Sequence, residues 1–394
     1  MNFDALRDYQ KECIGELRKG LINGHRSQVL VAPTGAGKCL GKNTPVLMFD
    51  GHIKLVQDVV VGDLLMGPDS KPRKVLSVTK GLGPLYRVTP NKGDPYVVND
   101  AHILSLKMTG GATKWSCEKS DTYKEGKIHN VSVMDYLSKS KTFKHCAKGW
   151  RTAVDFPKEE NASFLLHPYF LGVWIGDGIS RGPAICTADK EIVDFVRSVA
   201  NLHGLKIRID EQQNNAAITI HITSGKYVGR SFNSVRSALS LLGLIKNKHI
   251  PHEYLTASRQ DRLELLAGLL DTDGSLSGGG FDFIQKNESI ACDVAFLARS
   301  LGLAAYISKC KKTCGNNGKV GNYFRVSISG DCSIIPTRIP RKKAPKRAIK
   351  KNPLHVGISV APIGRGEYFG FEIDGDRLFL LGDFTVTHNT VIAS

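Results

Sequence analysis

The chain has 394 residues, 41% of them hydrophobic, which is enough for more than one core and points to two or three domains. No apolar run approaches the roughly 18 residues that cross a bilayer, and the start lacks the pattern of a secretory signal, so a cytoplasmic location without a membrane partner is expected. A formal net charge of +17 favours a polyanionic partner, most simply nucleic acid, over a merely solvated basic surface.

In chain order, Leu6, Cys13, Ile14, Leu17 and Leu21 recur at helical spacing, and Gly24 and Ser27 then punctuate before an apolar strand at Val29–Val31. Residues 28–38 read QVLVAPTGAGK, a strand followed by a phosphate-loop sequence with Gly35, Gly37 and Lys38. Such a loop needs Ser or Thr directly after the lysine, because that hydroxyl ligates Mg²⁺ while the lysine reaches the phosphates. Cys39 stands there instead. The missing residue appears at the other end, in His388-Asn389-Thr390-Val391-Ile392. With residues 39–389 deleted, the flanks close into APTGAGK-TVIAS, an unbroken loop leading into a helix. The start resembles the N-terminal edge of superfamily 2 DEAD/DEAH-type helicases, in which a glutamine ahead of the loop reads adenine; Gln10 matches it. That resemblance implies an ATP- and Mg²⁺-dependent host acting on nucleic acid, present only as flanks 1–38 and 390–394.

From Cys39 short β-rich runs alternate with Gly, Pro and Asp: 45–49, 53–56, 64–66, 75–78, 85–88, 96–98 and 103–106. Residues 107–150 are more polar and basic and read as strands with a peripheral extension. The β texture returns at Tyr368–Ile373, 378–381 and 384–387, which completes a sheet and sets Cys39 beside Asn389. Alone, Cys39 reads as a small buried residue and His102 as an ordinary polar one. Together with the interrupted loop they resemble an intein, a protein-splicing domain of the Hint fold.

The resemblance implies roles residue by residue. Cys39 attacks the Lys38 carbonyl to form a thioester, a thiol being a strong nucleophile near neutral pH. Thr390 takes the acyl group, Asn389 cyclises and cuts the chain after itself, and His388 assists. His102 in Asn99-Asp-Ala-His102 matches the family's Thr-x-x-His block; Asn99 replaces the threonine and is expected to donate a hydrogen bond in its place. Gly370 and Arg377 stand where, or near where, many inteins carry Asp and His.

Residues 160–345 contain an internal repeat. FLGVWIGDG at 170–178 aligns with LAGLLDTDG at 266–274, and helical patterns follow at 192–205 and 291–303. Strand pairs then close at 220–225 and 326–330, ahead of Lys246–Pro251 and Arg341–Pro345. Two tandem copies of one unit make a pseudo-twofold monomer. The repeat resembles the LAGLIDADG homing endonucleases. The resemblance implies close-packed helices at Gly172 and Gly268, Mg²⁺ held by Asp177 and Asp273, and double-stranded DNA as substrate. Lys248 matches the catalytic lysine of the first copy; Lys342 or Lys343 would serve the second, with Lys342 preferred. Asp271 is a helix-end polar group, its counterpart being Ile175. The basic run 338–351 suits phosphate contacts or a linker.

Nine scattered cysteines suggest reduced thiols; Cys310-x-x-x-Cys314 is at most half a metal site, with no matching pair. The expected architecture is multidomain. An all-β Hint domain (39–155 and 351–389) is interrupted by an α+β pseudo-twofold endonuclease (156–350), with short host flanks. Two other readings compete. A helicase with a long inert insertion conflicts with Cys39 in the phosphate loop. A Hint domain that cleaves without ligating conflicts with Thr390 after Asn389.

Overall fold

A computed structural model describes residues 8–25, 39–110, 124–157, 164–211, 216–225, 232–313, 320–346, 348–349 and 351–389. The phosphate-loop residues Gly35, Gly37, Lys38 and Thr390 lie outside them, as does Cys314. The expected first helix is α1 (Asp8–Ile22), which carries Gln10. No described helix is long and apolar enough to cross a membrane.

The β-rich segment forms β1 (Leu40–Gly41), β2 (Pro45–Leu47), β3 (Ile53–Leu55), β4 (Leu64–Met66), β5 (Pro72–Pro90), β6 (Tyr96–Asn99), β7 (Ile103–Met108) and β8 (Ile128–Ser132). Two short helices follow, α2 (Val133–Ser138) and α3 (Lys141–Cys146), then β9 (Ala147–Trp150). These helices correct the all-β expectation. Each is started by a serine cap: Ser132 accepts from the Asp135 N–H, and Ser140 from the Phe143 N–H.

The repeat unit follows as α4 (Pro168–Asp177), β10 (Ala184–Thr187), α5 (Lys190–Leu202), β11 (Lys206–Glu211), β12 (Ile218–Thr223), α6 (Ser234–Leu241) and α7 (His252–Leu255). Its second half is α8 (Arg259–Asp273), β13 (Gly274–Ser277), β14 (Gly280–Gln285), α9 (Glu288–Ser300), β15 (Ala304–Thr313) and β16 (Val320–Ser329). The chain then returns through β17 (His355–Val356), β18 (Ile358–Ile373), β19 (Leu378–Leu380) and β20 (Val386–His388).

One five-stranded sheet has the order β18-β1-β6-β5-β4, with β18 also pairing β5, so the strands close on themselves. A second runs β17-β9-β7-β20-β19, with β8 on β7. Both sheets mix strands from before and after the repeat unit, which is therefore an insertion into this β domain. The sequence breaks β5 into two runs at Gly81 and Gly83, yet one strand passes through. Here the ring of Tyr368 on β18 lies so close that a Cβ at Gly81 would meet it at 2.5 Å. The glycines make room for a ring instead of turning the chain.

The repeat shows in the register of its sheets. The first copy has order β10-β12-β11 and the second β13-β14-β16-β15. An isolated bridge, Gly178 to Ile185, stands where the second copy has the β13–β14 pairing, Gly274 to Phe283. The axis is the α4–α8 contact. A Cβ at Gly172 would lie 2.4 Å from the Leu265 carbonyl oxygen, and one at Gly268 2.3 Å from that of Tyr169. Only glycine at both positions lets the backbones approach this closely.

The described residues form two cores. One joins Val46, Leu65, Val88, Val98, Leu104 and Phe371 inside the β domain. The other unites the repeat helices with Leu47, Met66, Trp150, Leu380, Phe384 and Val386 of the β domain. The two domains thus share apolar core. Buried Arg262 of α8 ties the crossing chain as well, donating to the Val154 carbonyl at 3.0 Å and to Asp155 at 3.1 Å.

Candidate functional site

Two separate groups of polar residues stand out. The first lies where β1 enters its sheet. Leu40 registers with Phe369 on one side and Val98 on the other, so the strand start is clamped and Cys39 is fully buried. The Cys39 N–H donates to Asn99 Oδ1 at 3.0 Å, and the Asn99 N–H donates to the Cys39 carbonyl at 3.0 Å. Toward Cys39 the Asn99 side chain is thus an acceptor, beside the donor role expected of it. Its partner is an amide N–H, so the side-chain oxygen accepts.

Asn99 ends β6, and a tight turn closed by the His102 N–H to the Asn99 carbonyl (3.2 Å) leads into β7. The turn presents His102, which is buried, with Nε2 2.8 Å from Thr387 Oγ1. At the start of β7, Ile103 registers with His388 of β20. Asn389 follows, 5% exposed, its N–H donating to the Arg377 carbonyl at 2.8 Å. Leu40, His102, Phe369, Gly370, Phe371, His388 and Asn389 line one narrow cleft. The five residues 99–103 therefore touch both ends of the inserted segment. His102, His388 and Asn389 come together here, with His102 and His388 the titratable groups among the described residues lining the cleft, and Cys39 precedes the lining residue Leu40. Gly370 puts no carboxylate into it. Arg377 has φ +65°, and its carbonyl is the acceptor of the Asn389 N–H. Thr387 was not legible beforehand, since a threonine inside a strand gives no signal.

The second group sits at the C-termini of the paired helices. Asp177 ends α4 and Asp273 ends α8. Burial, and then the charge of Asp273, push the Asp177 carboxyl up to about 6. Burial raises Asp273 too, against the opposing pull of Lys248 and Lys342. Lys248 Nζ donates to the carbonyls of Ile175 (2.9 Å) and Gly176 (3.1 Å). Lys342 Nζ donates to those of Leu270 (3.1 Å), Asp271 (2.6 Å) and Thr272 (2.9 Å). Each ammonium satisfies the open carbonyls of its own copy's helix at the negative end of the dipole. Lys342 therefore stands as the counterpart of Lys248. Burial lowers the pKa of both lysines.

Asp271 differs from a simple helix-end group. It is buried, accepts from the Tyr169 hydroxyl at 2.7 Å and from the Arg338 N–H at 2.6 Å, and so links α8 to α4. The Arg338 guanidinium lies over the rings of Tyr169 (4.1 Å) and Phe195 (3.9 Å). Arg341 pairs with Asp189 of the first copy. The first part of the basic run thus fastens the two copies together, which composition alone could not reveal. Among the described residues no cluster of three or more His, Cys, Asp or Glu could hold a metal ion. The Asp pair still fits a divalent cation. Two half-buried carboxylates interact, one of them pushed up by burial and then by the charge of the other, and a cation between them would remove that repulsion.

Comparison with known proteins finds a family match in each of the two domains. A family described as Hom_end-associated Hint matches residues 39–169, and one described as LAGLIDADG-like domain matches residues 260–335. The chain carries a Hint domain and a LAGLIDADG-like domain. Both are enzyme domains, the first autocatalytic and the second of a class of DNA-cleaving hydrolases. Among curated relatives, the chain is 28% identical over 382 residues to the replicative DNA helicase DnaB of Mycobacterium intracellulare, covering 92% of this chain and 60% of that protein. It is 40% identical over 473 residues to the catalytic subunit of the V-type proton ATPase of Candida tropicalis, covering 89% of this chain and 43% of that one. The chain thus spans less than two thirds of the length of either. Among solved structures, the Msm DnaB1 intein splicing domain bound with zinc aligns at 35% identity over 17% of this chain and 53% of its own, with a TM-score of 0.16. I-DmoI in complex with DNA and Ca aligns at 15% identity over 41% of this chain and 82% of its own, with a TM-score of 0.28.

Proposed function

We propose that the Hint domain excises residues 39–389 and joins Lys38 to Thr390, and that the LAGLIDADG-like domain cuts double-stranded DNA at the uninterrupted host gene. The observation that carries the first part is the 99–103 turn, which hydrogen-bonds Cys39 at one end and pairs with His388 at the other. In the first step Cys39 Sγ attacks the Lys38 carbonyl carbon. The Lys38–Cys39 amide breaks, a thioester forms, and the departing nitrogen gains a proton, which His102 would supply. The Thr390 hydroxyl then attacks the thioester and releases the Cys39 thiol. Asn389 closes its side-chain nitrogen on its own carbonyl, which cuts the bond to Thr390 and leaves a succinimide. The ester joining the flanks rearranges to an amide. Holding the reacting groups in one folded domain would replace bimolecular encounters by fixed geometry, with effective molarities of about 10⁵–10⁸ M in favourable cases.

In the second domain Asp177 and Asp273 would hold Mg²⁺. Bound there, the ion would neutralise phosphate charge and stabilise the leaving oxygen. Lys248 and Lys342, poised over the helix ends with lowered pKa, hold or move protons beside the scissile phosphate. I-DmoI is known in complex with DNA and Ca and with DNA and Mn, and the paired carboxylates of this chain suit partners of the same classes. The pseudo-twofold repeat lets one chain, acting as a monomer, address both strands.

The host would be a cytoplasmic DEAD/DEAH-type helicase. Splicing would restore its loop of Gly35, Gly37, Lys38 and Thr390 for ATP and Mg²⁺, with Gln10 at the adenine. The experiment is electrophoresis of freshly expressed chain followed over time. Joined flanks and a separate 39–389 product are expected. A chain that stays intact under all conditions while binding ATP would favour a helicase with an inert insertion.

A further inference from the structure

The shared core places one turn of the Hint domain in the hands of the endonuclease domain. Between β19 and β20 the chain reverses at Leu381–Thr385, closed by the Phe384 N–H to the Leu381 carbonyl at 2.8 Å. Phe384 has φ +68°, a left-handed conformation that a bulky side chain rarely adopts. It is fully buried all the same. Its ring meets Phe296 of α9 edge-on, with centroids 5.2 Å apart and planes at 69°. Phe296 stacks in turn on Phe156, 5.7 Å away at 14°, in the chain that crosses into the endonuclease domain. Leu380 before the turn and Val386 after it belong to the same core as α4, α8 and α9. On the other side Arg151 grips the turn, its Nη2 donating to Asp383 at 2.6 Å.

The strand leaving this turn carries Thr387, the hydrogen-bond partner of His102, then His388 and Asn389. A left-handed phenylalanine persists only where its surroundings over-determine it. Here the over-determining ring comes from the endonuclease domain. We propose that Phe296 is a positioning residue for splicing. Through Phe384 it fixes the β19–β20 turn and with it the approach of Asn389 to its own carbonyl. The endonuclease domain would then be part of the C-terminal splice junction and not an independent passenger. Cys39 itself is held by β6 and β18, and only its proton donor His102 touches β20, through Thr387, so the N-terminal step should suffer less than the C-terminal one. The proposal rests on the splicing function inferred above.

The test uses the full chain and scores the two junctions separately. Cleavage after Asn389 is followed by electrophoresis and mass, and the Lys38–Cys39 thioester by release of the N-terminal fragment with dithiothreitol. If the unaltered chain shows neither event, the splicing function itself fails. Given a splicing wild type, Phe296→Ala should slow C-terminal cleavage by about 10- to 100-fold, the scale of a small misplacement of reacting groups, while thiol-released N-terminal fragment persists. Phe296→Leu, which restores most of the volume, should recover most of the rate. Phe384→Gly relieves the left-handed strain but removes the ring, and should slow the same junction even if Phe296→Ala fails to fold. Leu239→Ala, a buried change in α6 of the first copy, should leave the ratio of the two cleavages unchanged. Wild-type C-terminal cleavage in Phe384→Gly, or a loss shared equally by both junctions, would overturn the proposal.

Discussion

Cys39 and Asn99 hold each other by two backbone-to-Asn contacts, Cys39 N–H to Asn99 Oδ1 and Asn99 N–H to the Cys39 carbonyl, each 3.0 Å. The first fixes the nitrogen of the peptide that must break. Asn99→Ala leaves that N–H buried without its acceptor and lets the peptide plane turn away from the thiol. The expected result is a fall in thiol-released N-terminal fragment of about 10-fold or more, from one lost hydrogen bond of about 1.5 kcal/mol. Asn99→Thr, which returns a hydroxyl acceptor, should recover part of it. An unchanged rate in Asn99→Ala would show that the contact is incidental.

Asn389→Ala removes the side chain proposed to cut the second junction by cyclising. Cleavage after residue 389 should cease, and the Lys38–Cys39 bond should remain sensitive to dithiothreitol. Cys39→Ala should give the converse pattern, with no thiol-released fragment. If neither variant differs from the wild type, the chemistry assigned to the two ends is misplaced.

What could be read beforehand, and what could not, has a physical basis. Cys39, His388 and Asn389 were legible because few side chains can form a thioester or cyclise, and these stand at the ends of an interrupted motif. The repeat was legible because both copies keep a Gly about five residues ahead of an Asp, on helices that must touch. The direction of the Asn99 hydrogen bond was not, since an amide can donate or accept until its partner is known. Nor was the unbroken β5, because Gly81 and Gly83 signal a turn unless Tyr368, far along the chain, is known to cover them. The core shared by Phe296 and Phe384 was equally hidden. A hydrophobic pattern says that a residue is buried, but not against which domain.

Asp177 gives a pH signature of stability. Its folded pKa, raised to about 6 by burial and by Asp273, exceeds the ordinary carboxylate value, so the native state holds a proton that the unfolded chain releases. The stability this confers is full below about pH 4 and is lost as pH rises through about 6. Asp177→Asn is neutral throughout. In chelator at about pH 7.5 it should melt above the wild type, by an amount corresponding to on the order of 1–2 kcal/mol, and near pH 4 the difference should vanish. Mg²⁺ should raise the melting temperature of the wild type and not of the variant. A variant that melts below the wild type in chelator at about pH 7.5 would show that the carboxylate pair is not under repulsion.

The two lysines make the sharpest test of the endonuclease domain. Lys248 and Lys342 each donate to the last carbonyls of the helix ending in their own copy's aspartate, at distances of 2.6 to 3.1 Å. Lys343 makes no such contact among the described hydrogen bonds, although it is the next residue in the same basic run. If proximity to the Asp pair matters, Lys248→Met and Lys342→Met should each slow double-strand cleavage by about 10²–10⁴-fold, the usual worth of a positioned proton-transfer group. Lys343→Met should stay within a few-fold of the wild type, since it removes at most one phosphate contact. Asp177→Asn and Asp273→Asn should abolish cutting. All five variants should splice normally, because none of the five residues belongs to the Phe296–Phe384 contact proposed to brace β20. The proposed substrate is the host gene without the insert, with cutting expected across the codons for Lys38 and Thr390 that only that allele holds side by side and the occupied allele spared. A digest of both alleles in Mg²⁺ over a salt series reads all of this at once. Equal cutting of both alleles, or equal effects of Lys342→Met and Lys343→Met, would mean that the lysines act only as diffuse positive charge and that the helix-end geometry has no catalytic role.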